Sequence, residues 1–346
     1  MPDRPEDASV GEAFIAVATR RADHAAVVDP SGETTYRRLH AQAAAVAPRL
    51  AGLPVRHGPV LILGGHRAGT LAAMLGSALA GSPYLVLDHR SPTTALRAVV
   101  DRHGARALVV ASDGTSGAGF DAARAEHIAA GAPVVVLDDG EPAAAGLPPR
   151  VDPASAASVV FTSGSAGVPK AVVHAHRTVV ANARHYAASI DAGPGDRVLV
   201  VSPLSTAAAA TPVYAALLTG AAVVLHDVHG PGLAGFADAA TGASVVHLVP
   251  AVVSHLPDPP PGGVPSVRIV ALGGDRADAA QVGRVRAWFP NAAVLHRYST
   301  SETNQIAVHG IAPDASVPPG RLPTGRPLPW VHVRVVGADG LDVAIG

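Results

Sequence analysis

The sequence of 346 residues contains no cysteine. Disulfide bonds, catalysis by a thiolate and zinc sites built on cysteine are therefore excluded. Hydrophobic residues nevertheless make up 48% of the chain, with 36 glycines and 31 prolines. This composition is typical of a globular protein, and the length is sufficient for two or three domains with more than one core.

Charge is also scarce and balanced. Lys and Arg total 26 and Asp and Glu total 27, so the formal net charge is −1 and charged residues make up only 15% of the chain. Nucleic acids and acidic membrane surfaces bind proteins with a basic excess, so neither is favoured as a partner.

The sequence has no long uninterrupted apolar run. The first fourteen residues are polar and acidic, without the apolar centre of a signal peptide. Residues 204–225 are long enough to span a membrane, but Pro212 and Gly220 interrupt them. A buried loop, helix and strand of an α/β protein explains this segment better. We therefore expect no membrane partner and a cytoplasmic location.

Short runs of Val and Leu alternate with Ala-rich helical stretches. Such runs indicate strands buried on both faces, as in the parallel sheets of α/β proteins. Strands are predicted at 60–65, 83–88, 107–112, 133–139, 197–203, 222–227, 244–250, 267–274 and 292–302, with helices near 67–80, 93–104 and 178–189. The predicted fold class is α/β, with two stacked subdomains built on mostly parallel sheets and helices around them.

The alternation also predicts a domain organisation. We expect a disordered N-terminus at 1–10 and a core at 11–310. Within the core, residues of about 55–195 form one α/β subdomain, and residues of about 11–54 and 196–310 form the other. Residues 311–346 are predicted to begin a β-rich barrel subdomain, with a hairpin turn at 337–340. The Pro/Gly-rich segment 255–266 is predicted to be a surface loop.

The stretch VVFTSGSAGVPKAVVHAHR, residues 159–177, leads from an apolar strand into a polar loop. Hydroxyl groups, glycines that let backbone N–H groups approach a ligand, and one cation together form an anion cradle. The residues concerned are Thr162, Ser163, Gly164, Ser165, Gly167 and Lys170. The spacing differs from the loop of P-loop NTPases. A solvated Ser/Gly turn is the alternative that this loop alone leaves open.

The segment TSGSAGVPKAVVHAHR resembles the phosphate-binding loop of the adenylate-forming superfamily. This superfamily comprises acyl-CoA synthetases, luciferases and the adenylation domains of nonribosomal peptide synthetases. Five further segments resemble family segments in the family's order, at 33–53, 78–109, 196–225, 267–304 and 322–327. The resemblance covers almost the whole chain and implies the large N-terminal core of such an enzyme.

The resemblance implies a ligase that uses ATP and Mg²⁺. A carboxylate attacks the α-phosphate, pyrophosphate leaves and an acyl-adenylate forms, so positioning and charge neutralisation do the catalysis. The loop from Thr162 to Lys170 would hold the β- and γ-phosphates. The further residues predicted at the nucleotide are Gly273, Gly274, Asp275, His296, Tyr298 and Ser301, with Glu302 as the Mg²⁺ ligand. Lys170, Ser301 and Glu302 are the predicted catalytic residues.

The same resemblance implies a substrate pocket. Its predicted residues are Ala207, Ala208, Thr211, His247, Ala271, Gly273, Arg297, Gln305 and Ile306. Ala207 stands where amino-acid-activating relatives have an Asp that pairs with the α-ammonium group, so a standard α-amino acid is disfavoured. Arg297 and His247 favour an acid with a second polar or anionic group, or an aryl or β-amino acid. The alternative is that Arg297 points to solvent or contacts a phosphate.

The sequence departs from the family pattern elsewhere. Ala166 and Ala171 replace a Thr and a Gly of the phosphate loop, and loss of a hydroxyl donor costs about 1–3 kcal/mol. His296 replaces an Asn beside the adenine, and Ser299-Thr300 replaces Gly-Pro. His174 and His176 have a spacing that places both on one face of a strand, but a zinc site there lacks further ligands. His176 matches a family histidine and is predicted to be structural or near the phosphates.

The sequence ends at DVAIG, before the family's ribose-binding Asp, hinge and small C-terminal domain with its Lys. The favoured hypothesis is an enzyme that forms an acyl-adenylate and loads the acid onto a carrier-protein phosphopantetheine or CoA. The alternatives are a catalytically incomplete module that binds nucleotide or acyl groups, and a fragment that needs a separate C-terminal domain in trans.

Overall fold

The computed structural model describes residues 8–53, 57–111, 122–137, 150–162, 170–229 and 232–343, and the side chains of 122 and 123 are outside this description. The helices of this part are α1 (Val10–Arg20), α2 (Tyr36–Ala51), α3 (Ala68–Leu79), α4 (Thr93–His103), α5 (Ala122–Ala129), α6 (His176–Ser189), α7 (Ala207–Thr219), α8 (Phe236–Thr241), α9 (Pro250–His255) and α10 (Ala279–Trp288). They alternate with strands that form two sheets, and the predicted α/β class is confirmed.

The smaller sheet has the strand order β6-β5-β3-β4-β7-β8. Its strands are β3 (Val60–Gly64), β4 (Tyr84–Asp88), β5 (Ala107–Ala111), β6 (Val134–Leu137), β7 (Ala156–Thr162) and β8 (Lys170–Ala175). All neighbouring pairs are parallel except β7 and β8, which are antiparallel and bracket the predicted phosphate loop.

The larger sheet has the order β15-β14-β13-β12-β11-β9-β10-β1-β2. Its strands are β1 (Ala25–Asp29), β2 (Gly32–Thr35), β9 (Arg197–Val200), β10 (Ala222–Leu225), β11 (Val245–Leu248), β12 (Ile269–Gly273), β13 (Ala293–Thr300), β14 (Asn304–Ile311) and β15 (Arg326–Pro327). The six strands from β1 to β13 in this order are parallel, and β2, β14 and β15 run antiparallel at the two edges.

Both sheets are covered on both faces, which explains why their strands are apolar throughout. In β3, Val60 and Ile62 pack with helices α1, α2, α3, α6 and α7, whereas Leu61 packs with α4 and α5. In β9, Val198 faces the same central helix layer and Leu199 faces the cluster with α8, α9 and α10. The result is a stack of five layers in which one helix layer lies between the two sheets.

The ordered chain begins earlier than predicted. Residues 1–7 lie outside the described part, but Ser9 and Val10, which we expected to be disordered, begin the first helix. The Ser9 side chain accepts from the Glu12 backbone N–H, and the Glu12 side chain accepts from the Ser9 N–H. This reciprocal capping box satisfies two N–H groups at the helix start and holds the segment in place.

The region after 311 differs from the predicted start of a barrel. Among its described residues, 312–343, the only strand is β15, which extends the larger sheet. The predicted turn at 337–340 is present, since the Gly337 N–H donates to the Leu341 carbonyl at 2.8 Å. An isolated bridge joins Val336 to Asp342. Among the described residues after 311, β structure is thus limited to one short strand and one bridge, less than predicted for the start of a β-rich subdomain.

The two segments singled out by their composition have the expected local structure. Residues 204–225 contain a loop, the helix α7 and the strand β10, and residues 257–266 form a mainly exposed loop. In the part of the chain that is described, none of the helices has both the length and the apolar character needed to span a membrane.

Two helical glycines offer a direct test of the packing between α2 and α3. A Cβ atom at Gly76 in α3 would lie 2.5 Å from Val46 Cβ and 2.7 Å from the Ala43 carbonyl oxygen in α2. We expect Gly76→Ala to lower the free energy of unfolding by about 1–3 kcal/mol, because the two helices would have to separate.

Gly283 in α10 is the matched control, because a Cβ atom there meets nothing within 4 Å. Gly283→Ala should raise the free energy of unfolding by up to about 1 kcal/mol through helix propensity alone. Urea denaturation of both variants measures these changes, and a stabilised Gly76→Ala variant would contradict the close helix contact.

Candidate functional site

A cavity of about 430 Å³ opens where the carboxyl ends of strands from both sheets meet. The connection from β9 leads to β10 on one side, and the chain then returns to β11 on the other side of β9. Such a reversal of strand order opens a crevice at the carboxyl edge of a parallel sheet. The cavity is lined by Phe161, Thr162, Asn182, Tyr186, Thr206, Ala207, Ala208, Thr211, His247, Gly273, Gly274, Arg297, Ser299, Thr300, Ser301, Asn304 and Gln305.

The ends of the predicted phosphate loop lie at this cavity. Thr162 ends β7 and lines the cavity, and it is the cross-strand partner of Lys170, the first residue of β8. Lys170 is exposed, so its ammonium group is open to a ligand. Ser163, Gly164, Ser165 and Gly167 lie outside the described residues, as does Ala166.

Gly273 and Gly274 end β12 at the cavity, where space is restricted. A Cβ atom at Gly273 would lie 3.3 Å from the Arg297 carbonyl oxygen, because the two residues are paired in neighbouring strands. Gly274 has a φ of +92°, and a Cβ there would lie 3.2 Å from Val249 Cγ1. Glycine therefore suits both positions, and the backbone is open to a ligand.

The turn from β13 to β14 places Ser301 at the cavity and Glu302 in solvent. His174 of β8 donates from Nε2 to the Ser301 carbonyl at 2.7 Å, which ties this turn to the strand that follows the phosphate loop. The Thr303 N–H donates to Thr300 Oγ1 at 3.1 Å. The hydroxyl-rich turn is thus held from two sides next to the loop end at Thr162.

Three other residues predicted at the nucleotide surround this part of the site without lining the cavity. Tyr298 is 44% exposed, and Asp275 is also exposed. His296 is buried, and its Nδ1 bonds the Pro323 carbonyl at 2.8 Å. The exposed Tyr298 ring is available to a planar ligand, whereas His296 is used to hold the 322–327 segment.

The inner end of the cavity is a buried polar cluster around Arg297. The side chain is only 5% exposed, so the alternative that it points to solvent is wrong. It donates to Ser189 Oγ at 2.6 Å and to Gln305 Oε1. Its guanidinium carbon lies 3.9 Å from the centre of the Tyr186 ring, a cation–π contact. The Tyr186 hydroxyl shares a hydrogen bond of 2.9 Å with His247 Nδ1.

Most of the predicted substrate residues are brought together here. Ala207 and Ala208 begin α7, and they line the cavity with Thr211, His247, Gly273, Arg297 and Gln305. Ala271 and Ile306 do not line it. Ala271 is fully buried in the central core, and Ile306 is half-buried on β14.

Helix α6 supplies polar residues at the cavity that were not predicted from the sequence. Asn182, Tyr186 and Ser189 are spaced by four and three residues, so they lie on one face of the helix, toward the cavity. Asn182 Nδ2 donates to Thr211 Oγ1 at 2.8 Å and to Asn304 Oδ1 at 3.2 Å. The spacing of these polar residues indicates a polar helix face in the sequence itself. Only the helix, and not the contact of this face with the cavity, was predicted.

His174 and His176, which follow the predicted phosphate loop, do not share one face of a strand. His174 lies on β8, whereas His176 begins α6, so the strand spacing that would place them on one face does not apply. His176 is buried, and its Nδ1 accepts from the Val10 N–H at 3.3 Å, which joins α6 to α1. Within the described ranges, no cluster of three or more His, Asp or Glu residues suited to a metal is found.

Burial shifts the protonation of the inner cluster. It lowers the pKa of His247 to about 3, with nearby Arg297 adding to the effect. It also lowers the pKa of Arg297 to about 10 and raises the pKa of Tyr186 to about 12. At neutral pH the imidazole and the phenol are neutral and the guanidinium is charged. No Asp or Glu is among the described lining residues, so the charge at the base of the cavity is positive.

The buried neutral imidazole predicts a pH-dependent loss of stability. The pKa of His247 is about 3 in the folded protein and 6.5 for the free side chain. Its contribution is therefore full above pH 6.5 and is lost as the pH falls toward 3, because only the unfolded chain takes up the proton.

Between pH 7.5 and 5.5, the wild-type protein should lose about 1.4 kcal/mol more unfolding free energy than His247→Asn. Asn can still form a hydrogen bond with Tyr186. Urea unfolding at both pH values measures the difference, and equal losses in the two proteins would show that the imidazole is not held neutral.

Among curated proteins, the chain is similar to the phenyloxazoline synthase MbtB of Mycolicibacterium paratuberculosis, with 30% identity over 350 residues. The match covers 98% of this chain and 29% of MbtB, so the chain spans less than a third of that relative's length.

Two solved structures share the fold. The nonribosomal peptide synthetase FmoA3 superimposes with a TM-score of 0.79 at 27% identity, covering 93% of this chain and 34% of FmoA3. VinN gives a TM-score of 0.78 at 23% identity, covering 98% of this chain and 86% of VinN. The family model described as "AMP-binding enzyme" matches residues 14–346, which is nearly the whole chain. The chain therefore belongs to the AMP-binding enzyme family, the family of adenylate-forming ligases.

Proposed function

We propose that the protein activates a carboxylic acid with ATP, forming an acyl-adenylate and releasing pyrophosphate. The observation that supports this most strongly is that one cavity has two chemically different ends. One end combines the loop end at Thr162, the glycine pair Gly273–Gly274 and the hydroxyl-rich turn at Ser301. The other end is the closed polar cluster around Arg297. A nucleotide at the first end and an acid at the second would meet between them.

The residues of the first end have distinct roles in this proposal. The loop between Thr162 and Lys170 holds the β- and γ-phosphates, with Lys170 as the neutralising cation. The Gly274 backbone lies against the adenine and the Tyr298 ring stacks on it. Ser301 donates its hydroxyl to the α-phosphate, and His174 is a positioning residue that holds the Ser301 backbone.

Glu302 fits the role of the Mg²⁺ ligand. The described residues contain no cage of several metal ligands, but Mg²⁺ is usually bound by one or two carboxylates together with substrate phosphates. Glu302 is an exposed carboxylate beside Ser301, so it can complete such a site only when the triphosphate is present. Mg²⁺ held there would neutralise charge on the phosphates as pyrophosphate leaves.

The acid would be one without a positively charged α-amino group. Ala207, at the position where amino-acid-activating relatives have Asp, lines the cavity and carries no charge, and the described lining residues include no Asp or Glu. An α-ammonium group in this cavity would be desolvated beside Arg297 without a counter-charge, which is unfavourable. Similarity to nonribosomal peptide synthetases supports a carrier-protein phosphopantetheine thiol as the acceptor, with CoA as the alternative.

Lys170 gives the nucleotide half of the proposal a direct test, because it is the only lysine in the sequence. An acyl-phosphate derivative of ATP transfers its acyl group to a lysine beside the terminal phosphates. We expect Lys170 to be acylated, and excess ATP to reduce this labelling at least tenfold. Peptide mass spectrometry measures both. Labelling that is independent of ATP would place Lys170 away from the phosphates, and Lys170→Arg controls for acylation elsewhere.

The preference for acids without an α-amino group tests the part of the proposal that concerns the acid. Acyl-sulfamoyl adenosines imitate the acyl-adenylate and report binding without catalysis. For analogues that differ only in an α-amino group, we expect the amino-free member to bind at least tenfold more tightly, equivalent to about 1.4 kcal/mol. Calorimetry measures the two affinities. Tighter binding of the amino-containing member would contradict this part of the proposal.

Pyrophosphate exchange separates the enzyme from the alternative binding module. Acid-dependent exchange between ATP and pyrophosphate is measured with the chain alone and with a relative's small C-terminal domain added in trans. Exchange in either reaction supports acid activation. Binding of the acyl analogues without exchange in either reaction would instead support a module that binds nucleotide and acyl groups.

A further inference from the structure

Arg297 is a buried cation for which the described residues provide no anion. Its side chain is buried, with 5% of its surface exposed, and no Asp or Glu of the described chain lies within ion-pair distance. Burying an unpaired charge is unfavourable, and proteins normally compensate for it with an opposite charge. The burial lowers the pKa of Arg297 only to about 10, so the guanidinium stays protonated at neutral pH.

The hydrogen bonds of Arg297 leave part of its binding capacity unused. A guanidinium has five N–H donors, and the two described bonds go to Ser189 and Gln305. The Tyr186 ring covers one face of the group. These contacts fix the orientation of the planar fork, while three of its N–H donors have no described acceptor.

Neighbouring polar groups add to this surplus of donors. Gln305 is 6% exposed, and its Nε2 amide nitrogen has no hydrogen-bond partner among the described residues. His247 is also 6% exposed, and within the same part of the chain its Nδ1 is bonded to Tyr186 while its Nε2 has no partner. Both residues line the cavity together with Arg297. The base of the cavity thus combines a fixed positive charge with an amide donor and a neutral imidazole. A ligand that accepts hydrogen bonds would satisfy the guanidinium and the amide, and also the imidazole when the Tyr186 hydroxyl donates to Nδ1 and the ring proton is on Nε2.

We propose that the acid bound here carries a second carboxylate, which pairs with Arg297 and accepts a hydrogen bond from Gln305. This proposal rests on the proposed acid activation, because it places the two carboxylates of the activated acid at opposite ends of the same cavity. The carboxylate to be activated lies toward Ser301 at the nucleotide end, and the second carboxylate lies at the closed end. A planar carboxylate matches the guanidinium fork and is the compensating charge that the described residues lack. The substrate is therefore a dicarboxylic acid.

Matched pairs of acyl-sulfamoyl adenosines test this proposal. The succinyl, glutaryl and adipoyl derivatives have a terminal carboxylate where the butyryl, pentanoyl and hexanoyl derivatives have a methyl group. We expect the wild-type protein to bind at least one dicarboxylic derivative tenfold or more tightly than its methyl counterpart, as measured by calorimetry. Arg297→Met keeps the side-chain length but removes the charge, and it should abolish this preference or reverse it.

Two further variants control for folding and for loss of charge in general. Arg297→Lys keeps a cation but not the planar fork, and it should retain part of the preference. Arg102→Met removes an exposed arginine at the end of α4, in the outer layer of the smaller sheet, and should keep the wild-type preference. Thermal unfolding of each variant shows whether it is folded.

The possible failures are distinguishable. If none of the derivatives binds, the proposed acid activation fails. If the methyl derivatives bind as tightly as the dicarboxylic ones, acid activation stands but the second carboxylate does not. A preference that survives in Arg297→Met would also overturn the proposal, because Arg297 would then only connect α6 to β14.

Discussion

The helix layer shared by the two sheets is the constraint on which the site depends. Helices α1, α2, α3, α6 and α7 bury apolar side chains from both sheets in one continuous core. A hydrogen bond of 2.6 Å between the hydroxyls of Tyr84 on β4 and Tyr214 on α7 lies within this layer. Because the layer sets the position of one sheet relative to the other, Thr162 of the smaller sheet and Arg297 of the larger one line the same cavity.

The parallel arrangement of the strands then determines which residues reach that cavity. The carboxyl ends of β7, β11, β12 and β13 converge at one edge, although these strands are far apart in the sequence. The close pairing of β12 with β13 brings Gly273 against Arg297 and leaves little room for a side chain at Gly273. The edge is thereby divided into an outer part, where the Gly274 backbone is exposed, and a buried inner part around Arg297.

Electrostatics distinguish the two parts. The outer part has hydroxyl groups, an exposed lysine and an exposed glutamate, all of which remain solvated in the absence of a ligand. The inner part holds a desolvated guanidinium beside an imidazole that burial keeps neutral. The cost of that buried charge is offset in part by Ser189, Gln305 and the Tyr186 ring. The arrangement thus favours acceptor groups over a second cation at the closed end.

The sequence by itself determined the alternating strands and helices and the two mostly parallel sheets. Both rest on a local pattern, the runs of Val and Leu that are buried on both faces of a sheet. The nucleotide-binding role of the loop before Lys170 remains a prediction that rests on resemblance. The capping box at Ser9 was equally local, yet it was overlooked in a polar terminus. Ala207 and Arg297 were also predicted at the site, through resemblance rather than through geometry.

Only the tertiary structure decided which side chains surround those residues. Asn182, Tyr186 and Ser189 belong to a helix whose orientation depends on its packing against α7 and β14. The same packing buries His176 against α1 and places Ala271 in the core instead of the cavity. Local patterns do not encode these relations, because they arise from contacts between residues that are 29 to 166 positions apart in the chain. The positive base of the cavity, where the described lining residues include no Asp or Glu, is the result of that contact.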